Sequence, residues 1–333
     1  MSLTDLDGDT GETAGYYLDS FLAPLAPYLG RNDVTDIWIN RPGEVWIESL
    51  GGGIERRDDP SVSSALLERL ARQIAAYSSQ GISRAHPLLA ASLPDGSRVQ
   101  IAAPPATREG YALAIRRHVS ADLSISDWEE ADAFDGLHAG PASRLSDRKL
   151  VPLGARDAAS HLRGAVKERR NILVSGGTSS GKTTFLNSLL GEIPETERLV
   201  LIEDTPELFI RHQNAVGLIA ARGEESEANV TAEDLLIAAL RMRPDRIVLG
   251  ELRGVEAFTF LRAVNTGHPG SMTTVHADTP ARAIEQLSLL VLQSGSKLSR
   301  DDVRHYVRES VDVYVQLERR NGRRCVSEVL VAE

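Results

Sequence analysis

Cysteine is almost absent from this chain of 333 residues, because Cys325 is the only one. A single thiol cannot form an internal disulfide bond, which excludes a small disulfide-stapled fold and fits a reducing cytoplasm. The sequence also lacks any apolar run near the roughly 18 residues that a membrane span requires. Its first residues are acidic, whereas a secretory signal begins with basic ones. We therefore expect a cytoplasmic protein that associates with membranes only peripherally, through partners.

An excess of positive charge is missing as well. The chain has 37 Lys and Arg residues against 47 Asp and Glu residues, which gives a formal net charge of −10. This balance argues against a whole-protein electrostatic surface for nucleic acid, so we do not expect nucleic acid as a direct high-affinity ligand. The length itself predicts about two domains with ample chain for a sizeable core.

The hydrophobic periodicity changes along the chain and predicts its organisation. Residues 1–12 are polar and acidic, which predicts a disordered tail. Residues 13–120 alternate short extended runs and turn tripeptides with helical stretches, which predicts a smaller α+β domain with a mostly antiparallel sheet. In residues 121–154 the periodicity fades while acidic residues accumulate, and we interpret this segment as a linker with room for one short helix.

Residues 155–333 alternate helical segments with short, continuously apolar runs. This alternation is typical of a parallel α/β sheet whose strands are buried on both faces. We expect strands at 171–175, 199–203, 246–250 and 272–276, with a final hairpin that turns at Asn321 and Gly322.

A glycine-rich loop follows the first of these strands. Gly176, four further residues and then Gly181, Lys182 and Thr183 match the G-x-x-x-x-G-K-[ST] pattern, in which backbone N–H groups surround a polyphosphate. Lys182 would reach the terminal phosphates, and Thr183 would bind magnesium. The predicted nucleotide-binding residues are Gly176, Gly177, Thr178, Ser179, Ser180, Gly181, Lys182, Thr183 and Thr184.

Carboxylates follow two other predicted strands. Ligands of parallel α/β sheets bind at the carboxyl ends of the strands, so these side chains are expected near the loop. Glu251 is placed to orient or deprotonate an attacking water molecule. Gly250 precedes Glu251 and occupies the position at which an acidic residue commonly binds magnesium through a water molecule. We assign the role of binding the metal or the water to Glu203.

His276 ends the last of these strands and is our candidate for a group that senses the γ-phosphate by a hydrogen bond. His268 is a weaker candidate. The structural alternative is a histidine whose hydrogen bonds are satisfied within the fold.

Phosphoryl transfer also needs a positively charged group beside the γ-phosphate. Arg116 and Arg117 end a strand of the first domain and would close over a nucleotide bound to the second. Arg241 and Arg243 lie at the end of the predicted helix 231–241 and would reach the nucleotide or a neighbouring subunit, and Arg253 follows the strand end that carries Glu251. Exposed arginines are more often solvated or ion-paired, so the sequence leaves the choice among them open.

Taken together, these segments resemble a known family. Residues 176–184, 202–205, 240–251 and 266–277 look like the Walker A, Asp, Walker B and His boxes of the secretion ATPases, which serve type II and type IV secretion, pili and conjugation. Residues 39–44, 93–96 and 115–117 resemble the amino-terminal domain of the VirB-eleven-type traffic ATPases of type IV secretion. Ser179 departs from the pattern, because the family more often has glycine there.

The resemblance implies a RecA-like P-loop ATPase domain and Mg-dependent hydrolysis of ATP. It also implies a homohexamer with the nucleotide between the two domains, docked on channel components at the cytoplasmic face of the inner membrane. Hydrolysis would then drive pilus assembly or substrate transfer. Two alternatives stay open at this stage: a RecA-like nucleic-acid motor, and a scaffold that binds ATP without turnover.

Overall fold

The computed structural model describes residues 18, 20–49, 53–78, 80–117, 122–137, 150–220, 230–320 and 322–332. It divides into two compact units. Residues 80–117 and earlier described residues belong to the first unit, and those from 122 onward belong to the second. No helix within these described ranges is long and apolar enough to cross a membrane.

The first unit is a six-stranded antiparallel sheet with helical segments. A 3-10 helix (Ala23–Leu25) and a short helix α1 (Ala26–Leu29) precede the strands β1 (Val34–Ile39), β2 (Glu44–Ser49) and β3 (Ile54–Asp58). Helix α2 (Ser64–Tyr77) then leads to β4 (Leu88–Ser92), β5 (Arg98–Ala102) and β6 (Ala112–Arg116). The strand order is β3-β2-β1-β6-β5-β4.

Helix α2 shows why this sequence folds locally as it does. The Ser63 side chain caps its first turn by accepting a hydrogen bond from the Leu66 N–H. Apolar residues at helical spacing, among them Leu67, Leu70 and Ile74, are fully buried in one core cluster with the inward side chains of the sheet. The α+β architecture expected for this part of the chain is confirmed.

The second unit is built on an eight-stranded mixed sheet. Its first elements are α3 (Ile125–Glu130), β7 (Leu150–Pro152), α4 (Ala155–Lys167), β8 (Ile172–Gly176) and α5 (Lys182–Leu190). They are followed by β9 (Leu199–Glu203), β10 (Ala215–Ile219), α6 (Ala232–Ala239), β11 (Arg246–Leu249) and α7 (Glu256–Asn265). The last elements are β12 (Met272–His276), α8 (Pro280–Gln293), α9 (Arg300–Ser310), β13 (Val313–Arg320) and β14 (Arg323–Ala332).

The strand order of this sheet is β10-β9-β11-β12-β8-β13-β14-β7. The run from β10 to β13 is parallel, while β14 pairs antiparallel with both β13 and β7. Every residue of β8, β9 and β11 is buried, because helices cover both faces of the sheet. The expected parallel α/β sheet is thus confirmed, with an antiparallel addition at one edge.

Residues 122–137 and 150–154 belong to the second unit, which differs from their interpretation as a linker. The Trp128 ring lies edge-on to Phe185 of α5, with ring centroids 5.0 Å apart, and its indole N–H donates to the Ser188 hydroxyl at 2.9 Å. Phe134 and Leu137 are buried in the same core cluster. The many acidic residues that suggested a linker alternate with apolar residues that belong to the core of the second unit.

Candidate functional site

The glycine-rich loop lies between β8 and α5, and close contacts and backbone conformation explain Gly176 and Gly181. A Cβ atom at Gly176 would lie 2.3 Å from the Ser180 hydroxyl oxygen and 2.8 Å from the Leu317 carbonyl oxygen. Gly181 has a φ of 97° and is the N-cap residue before α5, while Ser179 has a φ of 59°. The left-handed backbone at Ser179 is one that glycine adopts without steric cost. This explains why glycine would suit the position, whereas the serine of this chain adopts the left-handed conformation at a steric cost.

Lys182 is the first residue of α5 and is held across the loop. Its ammonium donates to the carbonyl oxygens of Gly176 and Gly177 at 3.0 and 3.1 Å. The side chain is buried, and this burial lowers the pKa of the Lys182 ammonium. A phosphate group in the loop would supply the negative charge that this buried cation lacks.

The Lys182 ammonium contacts His276, and His276 in turn lies beside Glu251, which follows a neighbouring strand. The His276 Nδ1 lies 3.3 Å from Lys182 Nζ, and its Nε2 lies 2.9 Å from Glu251 Oε1. A neutral imidazole with the proton on Nε2 fits these neighbours, since its Nδ1 can accept from the Lys182 ammonium while its Nε2 proton lies beside the Glu251 carboxylate. Burial, together with the Lys182 charge, lowers the pKa of His276 and favours this neutral form.

The strand order explains why these residues meet. Strand β12 lies between β8 and β11, and His276 pairs directly with Gly176 in the β8–β12 register. The Thr274 hydroxyl donates to the Gly250 carbonyl oxygen at 2.7 Å, which ties the end of β12 to the residue before Glu251. The sequence prediction that Lys182, Glu251 and His276 share one site therefore agrees with their positions.

Arg253 completes the contacts of the Glu251 carboxylate. Its guanidinium hydrogen-bonds Glu251 and also donates to Asp204 at 3.0 Å. One Glu251 oxygen thus lies beside the His276 ring, and the other is paired with the Arg253 guanidinium. This arrangement fixes the direction of the carboxylate relative to the loop.

Glu207 is a site residue that the sequence reasoning missed. Its Oε2 accepts a hydrogen bond from the Thr183 hydroxyl at 3.0 Å. Glu203 positions it, because Glu203 Oε1 accepts from the backbone N–H groups of Glu207 and Leu208, both at 2.7 Å. The available signal was a second carboxylate four residues after Glu203. Thr183 and Glu207 offer the oxygen ligands that Mg²⁺ prefers, so the residues present fit this ion.

The candidate arginines have different surroundings. Arg116 donates to Asp36 at 2.9 Å, and Arg117 donates to the Arg31 carbonyl oxygen, so both have partners within the first unit. Arg241 and Arg243 are exposed near the end of α6. Only Arg253, among the arginines proposed, directly contacts the Glu251 carboxylate in the described residues. His268 is half-buried on the segment between α7 and β12.

The neutral state of His276 makes a pH-dependent prediction. Its pKa is lowered in the folded chain from the ordinary value of 6.5, so the unfolded chain binds the proton more readily. The stabilisation is present above pH 6.5 and is lost as the pH falls below that value. We expect the free energy of unfolding, measured by urea titration, to fall when the pH is lowered from about 7.5 to about 5.5. This fall should be larger for the wild-type protein than for His276→Gln. An equal loss in both proteins would contradict the neutral assignment.

The strand order, the phosphate-binding loop and the carboxylate beyond β11 define a RecA-like P-loop ATPase domain, preceded by a smaller α+β unit. Comparison with known proteins gives the particular family. Residues 143–332 match the model of the "Type II/IV secretion system protein" family, and the chain belongs to this family.

Individual relatives agree with this membership over nearly the whole chain. The type IV secretion system protein VirB11 of Bartonella quintana (strain Toulouse) is 39% identical, with 92% of this chain and 91% of that protein covered. PtlH of Bordetella pertussis (strain Tohama I), a type IV secretion system protein, is 40% identical, with 92% of this chain and 91% of that protein covered. The X-ray structure of the Legionella pneumophila ATPase DotB is similar in fold, with a TM-score of 0.61, 19% identity, and 95% of this chain and 81% of that chain covered.

Proposed function

We propose that this chain hydrolyses ATP with Mg²⁺ and that the reaction powers type IV secretion. The observation that carries the proposal is the convergence of Lys182, His276 and Glu251 at the mouth of the glycine-rich loop. The type IV secretion relatives at 39% and 40% identity support the assignment to secretion.

Each side chain has a role that its contacts support. Lys182 binds the terminal phosphates, and Glu251 orients and deprotonates the attacking water. His276 bridges these two groups, so it is placed to sense the γ-phosphate when a phosphate oxygen replaces one of its present partners. Thr183 and Glu207 would hold Mg²⁺, which supplies charge neutralisation for the phosphates, while Glu203 fixes Glu207 through the backbone.

The wider assembly belongs to the same proposal and rests on family membership. We infer a homohexameric ring that binds membrane-channel components at the cytoplasmic face of the inner membrane. Arg116 and Arg117 are proposed to couple the first unit to the nucleotide, and Arg241 to reach it from the same or a neighbouring subunit. Occupied nucleotide sites would then change the arrangement of the first units around the ring.

A complementation experiment tests the secretion function. In a host that lacks the gene for this chain, the wild-type gene is expected to restore substrate transfer. Glu251→Gln is expected to restore none, because the uncharged amide cannot accept a proton from water. Transfer to recipient or target cells is measured, with immunoblots to establish equal amounts of the two proteins. Full transfer with Glu251→Gln would show that hydrolysis at this site does not power secretion.

A further inference from the structure

Arg324 lies against the glycine-rich loop although it is distant from it in sequence. It is on β14, where it pairs with Arg319 of β13. A Cβ atom on Gly181 would lie 2.8 Å from Arg324 Cδ and 3.5 Å from its Nε. The guanidinium Nη1 is 3.5 Å from the hydroxyl oxygen of Thr184 in the first turn of α5. The side chain therefore runs along the end of the loop and the start of the helix.

The charge of Arg324 is not compensated in this position. Among the residues that the structure describes, no carboxylate forms an ion pair with Arg324, whereas the buried Arg246 pairs with Glu197 and Arg253 pairs with Glu251. Burial and the nearby Arg319 lower the pKa of the Arg324 guanidinium. The amino terminus of α5 adds the positive end of a helix dipole. An anion at the loop would relieve all of these unfavourable effects.

The direction from which Arg324 approaches identifies the part of the ligand it can reach. Strand β8 has β12 on one side, which brings His276, and β13 on the other, with β14 beyond it. Arg324 thus approaches from the side of the loop opposite to His276 and Glu251, where the transferred phosphate is expected. Its contact with Thr184, beyond Lys182 and Thr183 in the chain, agrees with this placement.

We propose that Arg324 binds the phosphates of the nucleotide that are not transferred, on the β14 side of the glycine-rich loop. The inference rests on the proposed nucleotide binding by this loop and adds a residue from the carboxyl-terminal hairpin to it. An arginine at this position offers planar donors to a phosphate, which a lysine presents only as a point charge. Arg324 is in this view a binding residue and has no part in the chemical step.

A contact that contributes equal binding energy in the ground state and in the transition state has a defined effect on the kinetic constants. Its loss raises KM and leaves kcat nearly unchanged. Because ADP retains the phosphates that are not transferred, its affinity is expected to fall as much as that of ATP. A charge-assisted hydrogen bond of this type corresponds to about 10- to 100-fold in affinity.

The experiment compares Arg324→Met, Arg324→Lys and the matched control Arg323→Met, which removes the exposed neighbouring arginine of the same strand. Calorimetric titration with Mg-ADP and with a non-hydrolysable ATP analogue is expected to give affinities about 10- to 100-fold weaker for Arg324→Met. Arg324→Lys should lose less, and Arg323→Met should equal wild type. The melting temperature of Arg324→Met without nucleotide is expected to equal or exceed that of wild type, since a poorly compensated charge is removed.

Three results would overturn the inference. They are wild-type affinity for both nucleotides in Arg324→Met, a loss confined to the ATP analogue, or a nucleotide-free protein that no longer folds because the arginine is structural. The proposed function fails separately, if the wild type itself binds neither nucleotide.

Discussion

Replacing Lys182 with alanine is expected to lower ATP turnover by about 10²-fold or more, because a preorganised positive charge at the phosphates is removed. The ammonium is buried and contacts two carbonyl oxygens and the His276 ring, so its position at the loop is closely defined. Phosphate release at saturating Mg-ATP measures the effect. Lys167→Ala is the matched control, since Lys167 is exposed in the last turn of α4.

The Lys182 variant is expected to fold normally. Its ammonium has a lowered pKa, so the folded chain gains little from its charge without a ligand. Circular dichroism and urea unfolding therefore serve as the folding check. Wild-type turnover by Lys182→Ala would remove the loop from the mechanism and contradict our assignment of the site.

Glu197→Gln is expected to destabilise the second unit by about 3–5 kcal/mol, the range found when one partner of a buried ion pair is removed. Arg246 is fully buried on β11, and its guanidinium donates to both oxygens of Glu197 at 2.7 and 2.8 Å. It donates as well to the Val166 carbonyl oxygen at 2.7 Å. Without the Glu197 charge, the buried guanidinium of Arg246 would lack its main compensation.

Urea unfolding at pH 7 measures this loss, with Glu195→Gln as a control at an exposed neighbouring carboxylate. The hydrogen bond from Arg246 lowers the pKa of the Glu197 carboxyl from 4.5. The stabilisation is therefore present above pH 4.5 and is lost as the pH falls through the lower folded-state value. A change as small as that of Glu195→Gln would show that the pair contributes little to stability.

The parallel strands of the second unit were predictable from sequence because their residues are buried on both faces and form continuous apolar runs. Strand β10 was missed because it lies at the edge of the sheet and is half-exposed, with Gly217 in its centre. Strand β7 has only three residues and is defined by its pairing with β14. Such elements depend on partners that are distant in the chain, which local patterns do not encode.

Helix α3 illustrates a different limit of prediction from sequence. Its amino terminus carries a capping box between Ser124 and Asp127, and Ile125 and Trp128 have helical spacing. Both signals are present in the sequence and agree with the one short helix allowed in the linker, but the surrounding acidic residues gave no indication that this helix packs onto the second unit. The contact of Trp128 with Phe185 arises only when the chain folds back onto α5.

The site also contains residues that the sequence predicts and residues that it does not. Lys182 was predictable from the glycine-rich motif, and Glu251 and His276 were predictable because they lie at the ends of recognisable strands, which meet at one edge of a parallel sheet. Glu207 and Arg324 were not, since Glu207 is placed by the Glu203 carboxylate and Arg324 comes from the antiparallel hairpin. Neither position follows from the glycine-rich motif itself.

Magnesium-dependent phosphate release by wild type and by Glu251→Gln tests the central claim most directly. We expect steady-state turnover by the wild type and a rate lower by about 10²- to 10⁴-fold in Glu251→Gln, the contribution typical of a general base. The variant should still bind ATP, because Lys182 and the loop are unchanged. Wild-type protein that binds ATP without releasing phosphate, or a Glu251→Gln variant that matches its rate, would contradict the proposed mechanism.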